Sequence, residues 1–256
     1  LLVIALCVNL LRNPAALSNL YGWKKLPYLF VWALALGALG FLNLWDLATL
    51  TGVVSGTVFL RFLMEYPNDS LLRITFRVIR PLGLLIPLSL ALYAPFYANF
   101  TSQASGVFPV VGPVTRYIHF FIIWALFLVP VFVLVISHLI VQLSSNRRYA
   151  VDACVSIAIV LMPFMVWALA AFMLGEAANM TIQRFVHLVP YHAMLWGILY
   201  GLISGARNSA SASLLFALGL AFSGLFLLMV TDLFYLVDMF NNRMNTVFKL
   251  YYQAWV

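Results

Sequence analysis

Eight long apolar runs fill most of this chain, and only short polar stretches separate them. A helix adds about 1.5 Å per residue, so crossing a bilayer core takes about 20 apolar residues, and in lipid each backbone group must find its partner within the segment. The runs lie near residues 1–12, 27–44, 46–64, 79–97, 117–143, 151–174, 188–205 and 212–237. None alternates apolar and polar with period two, as a transmembrane β-strand does. The sequence therefore predicts an all-α, polytopic transmembrane bundle, a single domain over residues 1–256. Charged residues make up 8% of the chain and apolar ones 65%, which excludes a soluble domain and a disordered chain alike. The first residue is a Leu inside an apolar run, so the first span reads as truncated and the chain as entered partway through it. Spans two and three, separated only by Asn43-Leu44-Trp45-Asp46, read as one hydrophobic hairpin.

Lys and Arg in short loops are held on the cytoplasmic side. With alternating sides, one face collects Arg12, Lys24, Lys25, Arg61, Arg73, Arg77, Arg80, Arg147, Arg148 and Arg207, and the other only Arg116, Arg184, Arg243 and Lys249. This bias places the protein in the cell membrane with the loop 98–116 and the C-terminal tail outside. It also accounts for most of the net charge of +7 without nucleic acid as a partner, since no basic patch is interleaved with stacking aromatics. Membrane lipids are the partners the composition demands.

Most of the unusual polar chemistry falls on the predicted outer face. Asp46, at the end of an apolar helix, is either a ligand contact or a helix cap. The loop that contains Asn99, Thr101 and Gln103 is rich in amide and hydroxyl groups, and it is longer than a connection requires. It runs into Arg116 and His119, which make either a candidate anion site or an interface pair with a snorkelling Arg. The densest stretch is 232–255, where Asp232 and Asp238 are followed by amides, by Arg243 and Lys249, and by aromatic rings. On a continuous helix Asn242, Asn245 and Lys249 share one face, and Asp232 is the better embedded of the two carboxylates. An interfacial amphipathic helix is the plainer reading of the same stretch.

Other features point to less. His138 reads as a packed or hydrogen-bonded imidazole, and the five-residue spacing of His187 and His192 does not set two rings on one helix face. Cys7 and Cys154 lie in apolar runs and suggest neither a disulfide nor a metal site. No phosphate loop, HExxH or GxSxG motif is present. The sequence predicts no cofactor and no metal site, and leaves a divalent metal open.

Three of these stretches carry a resemblance. Gly40-Phe-Leu-Asn-Leu-Trp-Asp46, Pro95-Phe-Tyr-Ala-Asn-Phe-Thr-Ser-Gln-Ala-Ser-Gly106 and above all Arg243-Met-Asn-Thr-Val-Phe-Lys-Leu-Tyr-Tyr-Gln-Ala-Trp255 resemble the YYY membrane protein family. The YYYxG motif that names the family does not occur here, which fits a chain that begins after it and covers the middle of a longer domain. The family is similar in architecture to GT-C glycosyltransferases, which take a sugar from a polyprenyl-phosphate carrier on the outer side of the membrane. In those enzymes an acidic catalytic residue usually lies in the first outer loop, which would be upstream of Leu1. The resemblance implies that Arg116, His119, Gln103, Arg243, Asn245 and Lys249 line a phosphate or substrate site, and that Asp46 and Asp238 hold sugar hydroxyls or activate an acceptor. The analogy is one of fold. Whether the chain is an enzyme stays open at this point. The alternative is a non-catalytic subunit packed against other membrane proteins of a respiratory or photosynthetic complex.

Overall fold

The computed structural model describes residues 1–18, 26–102, 105–143 and 149–255. In chain order the elements are α1 (Leu2–Arg12), α2 (Pro14–Ser18), α3 (Leu26–Leu42), α4 (Leu44–Glu65), α5 (Leu71–Leu92), α6 (Ala94–Tyr97), β1 (Gly106–Pro109), α7 (Tyr117–Leu143), α8 (Tyr149–Met173), α9 (Ala178–Arg207), α10 (Ala212–Leu233), β2 (Phe234–Val237) and α11 (Met244–Trp255). Among the described residues six helices are long and apolar enough to cross a membrane, namely α4, α5 and α7 to α10, and α1 and α3 are shorter apolar helices. These eight correspond one to one with the eight apolar runs. The protein is an all-α, multi-pass membrane protein. Prolines sit inside α5, α7, α8 and α9, as membrane helices tolerate where neighbours re-satisfy the freed carbonyls.

Several boundaries differ from those read off hydropathy. The fourth apolar helix, α5, begins at Leu71 rather than near 79, because Ser70 caps it by accepting from the Arg73 amide at 3.3 Å, and because Ile74 and Val78 are buried one turn apart. It also ends at Leu92, with Ala94–Tyr97 as a separate turn of helix. The seventh apolar helix starts at Ala178 rather than near 188, carrying Arg184 and His187 into its first half. The last long helix stops at Leu233, and Phe234–Val237, read as its continuation, is a strand.

The chain divides into two compact units, residues 1–101 with 202–223, and residues 102–201 with 224–256. In the first, α3 packs on α4 and α5, and α1 packs on α4. The hairpin expected at Asn43 is present: Asn43 caps α4 by accepting from the Trp45 amide at 3.3 Å. Gly37 lies where any Cβ would collide with the Ser89 carbonyl and the Tyr93 ring, so α3 approaches α5 through its backbone. Arg12 reaches Ser213 at 2.9 Å, and Arg207 donates to the Pro67 and Asp69 carbonyls.

In the second unit β1 and β2 form an antiparallel ribbon, with Val107 opposite Leu236 and Phe108 opposite Tyr235. The tail helix α11 lays Tyr251 and Trp255 against Trp124 of α7, at 5.4 and 6.2 Å between ring centroids. Gly224 of α10 lies under Ala254, 3.6 Å from its carbonyl oxygen when a Cβ is built on the glycine, so α10 and α11 run close. His138 Nε2 meets the Gly201 carbonyl at 3.0 Å, the hydrogen-bonded imidazole the sequence suggests.

Candidate functional site

The ribbon closes one end of the second unit. Beyond its register, Ser105 N donates to the Val237 carbonyl at 2.9 Å and Val110 N to the Leu233 carbonyl at 2.8 Å. Because Gly106 pairs with Val237, the loop and the tail lie on the same side of whatever surrounds the unit, although they are far apart in sequence. The side-chain work at this junction centres on Asp232, in the last turn of α10.

A carboxylate at a helix C-terminus faces the negative end of the helix dipole, and burial adds the cost of losing water. Asp232 bears both, since its side chain is fully buried. Its Oδ1 accepts from the Thr115 amide at 3.0 Å, the Thr115 hydroxyl at 2.9 Å and the Arg243 guanidinium at 2.5 Å. Its Oδ2 faces His187 Nε2 at 3.4 Å. One carboxylate therefore ties together the loop before α7, the first half of α9 and the segment before α11.

Arg184, three residues before His187 and on the same face of α9, serves the backbone around this carboxylate. It donates to the Asp232 carbonyl at 2.5 Å, the Val110 carbonyl at 3.0 Å and the Gly112 carbonyl at 2.9 Å. Those bonds satisfy orphan carbonyls of the α10 terminus and of the loop, the Asp232 and Val110 carbonyls in buried surroundings and that of Gly112 at an exposed position. Trp167 of α8 donates to the same Val110 carbonyl at 3.1 Å, and its ring lies 4.9 Å from the Arg184 guanidinium carbon. The Tyr251 hydroxyl is 3.4 Å from Thr115 Oγ1, and burial pushes this phenol up, so it stays protonated.

A second, more exposed cluster is built on Asp238. Its Oδ2 accepts from Asn245 at 2.5 Å and its Oδ1 from the Phe240 amide at 2.9 Å. The Asn245 bond is the main reason this carboxyl sits below the usual range, with the charge of Lys249 adding to it. Asn242 does not share that face. It lies before α11 and caps it by accepting from the Met244 amide at 2.9 Å.

The residues expected to form a site are thus distributed. Arg243 is engaged with Asp232, while Asn245 and Lys249 are gathered around Asp238. Arg116 and His119 are exposed, at the start of α7 beside Thr115. Asp46 belongs to the first unit, in the first turn of α4, where it accepts from Asn43 at 2.9 Å and its charge complements the helix dipole. The cap at that helix is Asn43, not Asp46. Gln103 lies outside the described residues. His187 and His192 have separate surroundings, the latter between the rings of Phe164 and Phe185 at 6.0 and 5.8 Å. Among the described residues no three of His, Cys, Asp and Glu come together to hold a metal ion.

Residue-by-residue reading misses Arg184, His187 and Thr115. A signal for the first two exists: ionisable side chains three residues apart inside an apolar helix imply a polar partner. If sides alternate, the start of α9 and the end of α10 meet at one face, and Asp232 is the acid available there.

The chain belongs to the DUF2298 family of uncharacterised membrane proteins, whose model matches residues 1–256. No curated protein matches the chain, and no solved structure does.

Proposed function

We propose that this DUF2298 protein is a GT-C-like membrane glycosyltransferase, which takes a sugar from a polyprenyl-phosphate carrier at the outer face of the cell membrane. The observation that carries the reading is the junction of loop and tail at one end of the second unit. It gathers hydrogen-bonding carboxylates, amides and cations at the end of a lipid-facing bundle, where a carrier's headgroup would lie beside its chain. In this reading Arg116 neutralises the carrier phosphate with two parallel hydrogen bonds, and His119 assists. Asp238, held by Asn245 and beside Lys249, takes sugar hydroxyls. Arg243 acts on the carrier only through the carboxylate it anchors. Asp46, in the first unit, takes no part in this assignment.

The test uses full-length protein in nanodiscs and polyprenyl-phosphate-linked mannose and glucose, radiolabelled in the sugar. The wild-type chain releases or transfers label, and Arg116→Gln weakens carrier binding about tenfold, the loss of about 1.4 kcal/mol. Equal binding by the variant removes Arg116 from the site.

One observation favours a non-catalytic subunit instead. Helix α7 is the least buried of the six long helices, and its outward residues Phe121, Ile122, Leu126, Phe132 and Val133 suit another membrane subunit as well as lipid. Co-purification of a stoichiometric membrane partner, with no transfer from either probe, would favour that reading.

A further inference from the structure

His187 is placed as a base is placed. Its Nε2 faces Asp232 Oδ2 at 3.4 Å, while Asp232 Oδ1 is taken by Thr115 and Arg243, so one carboxylate oxygen is anchored and the other is left for the imidazole. The ring is stacked on Tyr117, with centroids 4.7 Å apart and planes at 17°, and the Tyr117 hydroxyl donates to the His187 carbonyl at 2.7 Å. Backbone and ring are both fixed. A carboxylate that accepts from Nε2–H selects the tautomer with its proton on Nε2 and a lone pair on Nδ1. Among the described residues Nδ1 has no hydrogen-bond partner. His187 keeps 14% of its side chain exposed and Asp232 none, so proton exchange with a bound molecule passes through the imidazole.

We propose that His187 and Asp232 form a base dyad, with His187 the catalytic residue and Asp232 the positioning residue, and that Nδ1 takes the proton of an acceptor hydroxyl. The second clause rests on the glycosyltransferase reading above. In the step, the acceptor O–H proton moves to Nδ1 and the acceptor oxygen bonds the anomeric carbon of the sugar. The bond from that carbon to the carrier phosphate oxygen breaks, and its electron pair leaves with the phosphate. The donor phosphodiester carries one negative charge and the released phosphate monoester two, which balances the imidazolium formed. The Asp232 carboxylate stabilises that imidazolium until it loses its proton to water.

Two measurements on full-length protein in nanodiscs test this. The first is carbethoxylation by diethyl pyrocarbonate, followed for each histidine by peptide mass spectrometry. His187 reacts in the wild-type chain and slows in Asp232→Asn, while exposed His119 reacts alike in both. The second is transfer from the labelled mannose and glucose carriers. His187→Gln, whose amide still donates to Oδ2 and so preserves folding, lowers kcat by about 10²- to 10⁴-fold with little change in KM. Free imidazole restores part of the rate of His187→Ala. A wild-type chain inactive on both carriers but with Asp232-dependent His187 reactivity overturns the transferase reading and keeps the dyad. An active chain whose kcat ignores His187→Gln, or whose His187 reactivity ignores Asp232, overturns the dyad and keeps the reading.

Discussion

Asp69 in the first unit and Asp232 in the second are each bound by arginine, yet the two carboxylates do different things. Asp69 accepts from Arg73 at 3.0 Å and from Arg77 at 3.0 and 3.2 Å, and the side chains of those arginines are 68% and 38% exposed. Asp232, among the described residues, has one arginine on its carboxylate and is fully buried. Water competes for the first pair and screens it, so it organises a turn between two helices without holding them together. The second has no water to fall back on. Removing a partner there strands a charge, so the three segments that donate to it must stay together. Counting arginines would rank Asp69 higher; burial reverses the order.

The largest break comes from Asp232→Ala. It leaves Arg243 unpaired and removes the acceptor shared by the loop and α9, for an expected loss of about 3–5 kcal/mol in unfolding by SDS in mixed micelles. A loss no greater than that of a surface substitution would mean the cluster is dispensable. Thr115→Val is a sharper probe, since it removes the hydroxyl and keeps the amide bond. Loss of one hydrogen bond to a charged group predicts about 1.5–3 kcal/mol by the same method.

Asp69→Asn is the smallest effect, a slight loss of stability at neutral pH that salt reduces further. Its acid dependence gives the sign. Burial acts to raise the Asp69 carboxyl, but the hydrogen bonds from Arg73 and Arg77 outweigh it, and the group ends below its ordinary 3.8. A lowered carboxyl stabilises above its unfolded value and loses that contribution as the pH falls through the folded one. Asp69→Asn should therefore flatten the part of the acid unfolding curve below about pH 4, and leave the curve above it unchanged.

The fold was legible in the sequence because lipid leaves few choices for apolar runs of this length. Each of the eight runs holds a helix. The two misplaced helix starts share a cause: hydropathy counts Arg73, Arg77 and Arg184 against a span, whereas a helix can place each on a polar partner near its start. The strand at Phe234–Val237 was illegible, since four apolar residues after a helix look like more helix until their partner strand is known. The same holds for the site. The loop and the tail both stood out as polar stretches, and Asp232 as the better embedded acid, but their joining depends on a register between residues more than a hundred apart. Asp238 drew attention because it sits among amides and cations, which is where an exposed carboxylate is solvated by its neighbours rather than where one is locked.

The account depends most on that joining, and a pair of introduced cysteines tests it directly. In a chain carrying Cys7→Ser and Cys154→Ser, the substitutions Val107→Cys and Leu236→Cys put two thiols opposite each other across the ribbon. Mild oxidation of the full-length protein in nanodiscs, read by mass spectrometry of tryptic peptides, should give a near-complete 107–236 disulfide. It should give little cross-link when Val107→Cys is combined instead with Tyr252→Cys, on the tail helix. No 107–236 disulfide, or equal yields from the two pairs, would contradict the ribbon and with it the site built around Asp232.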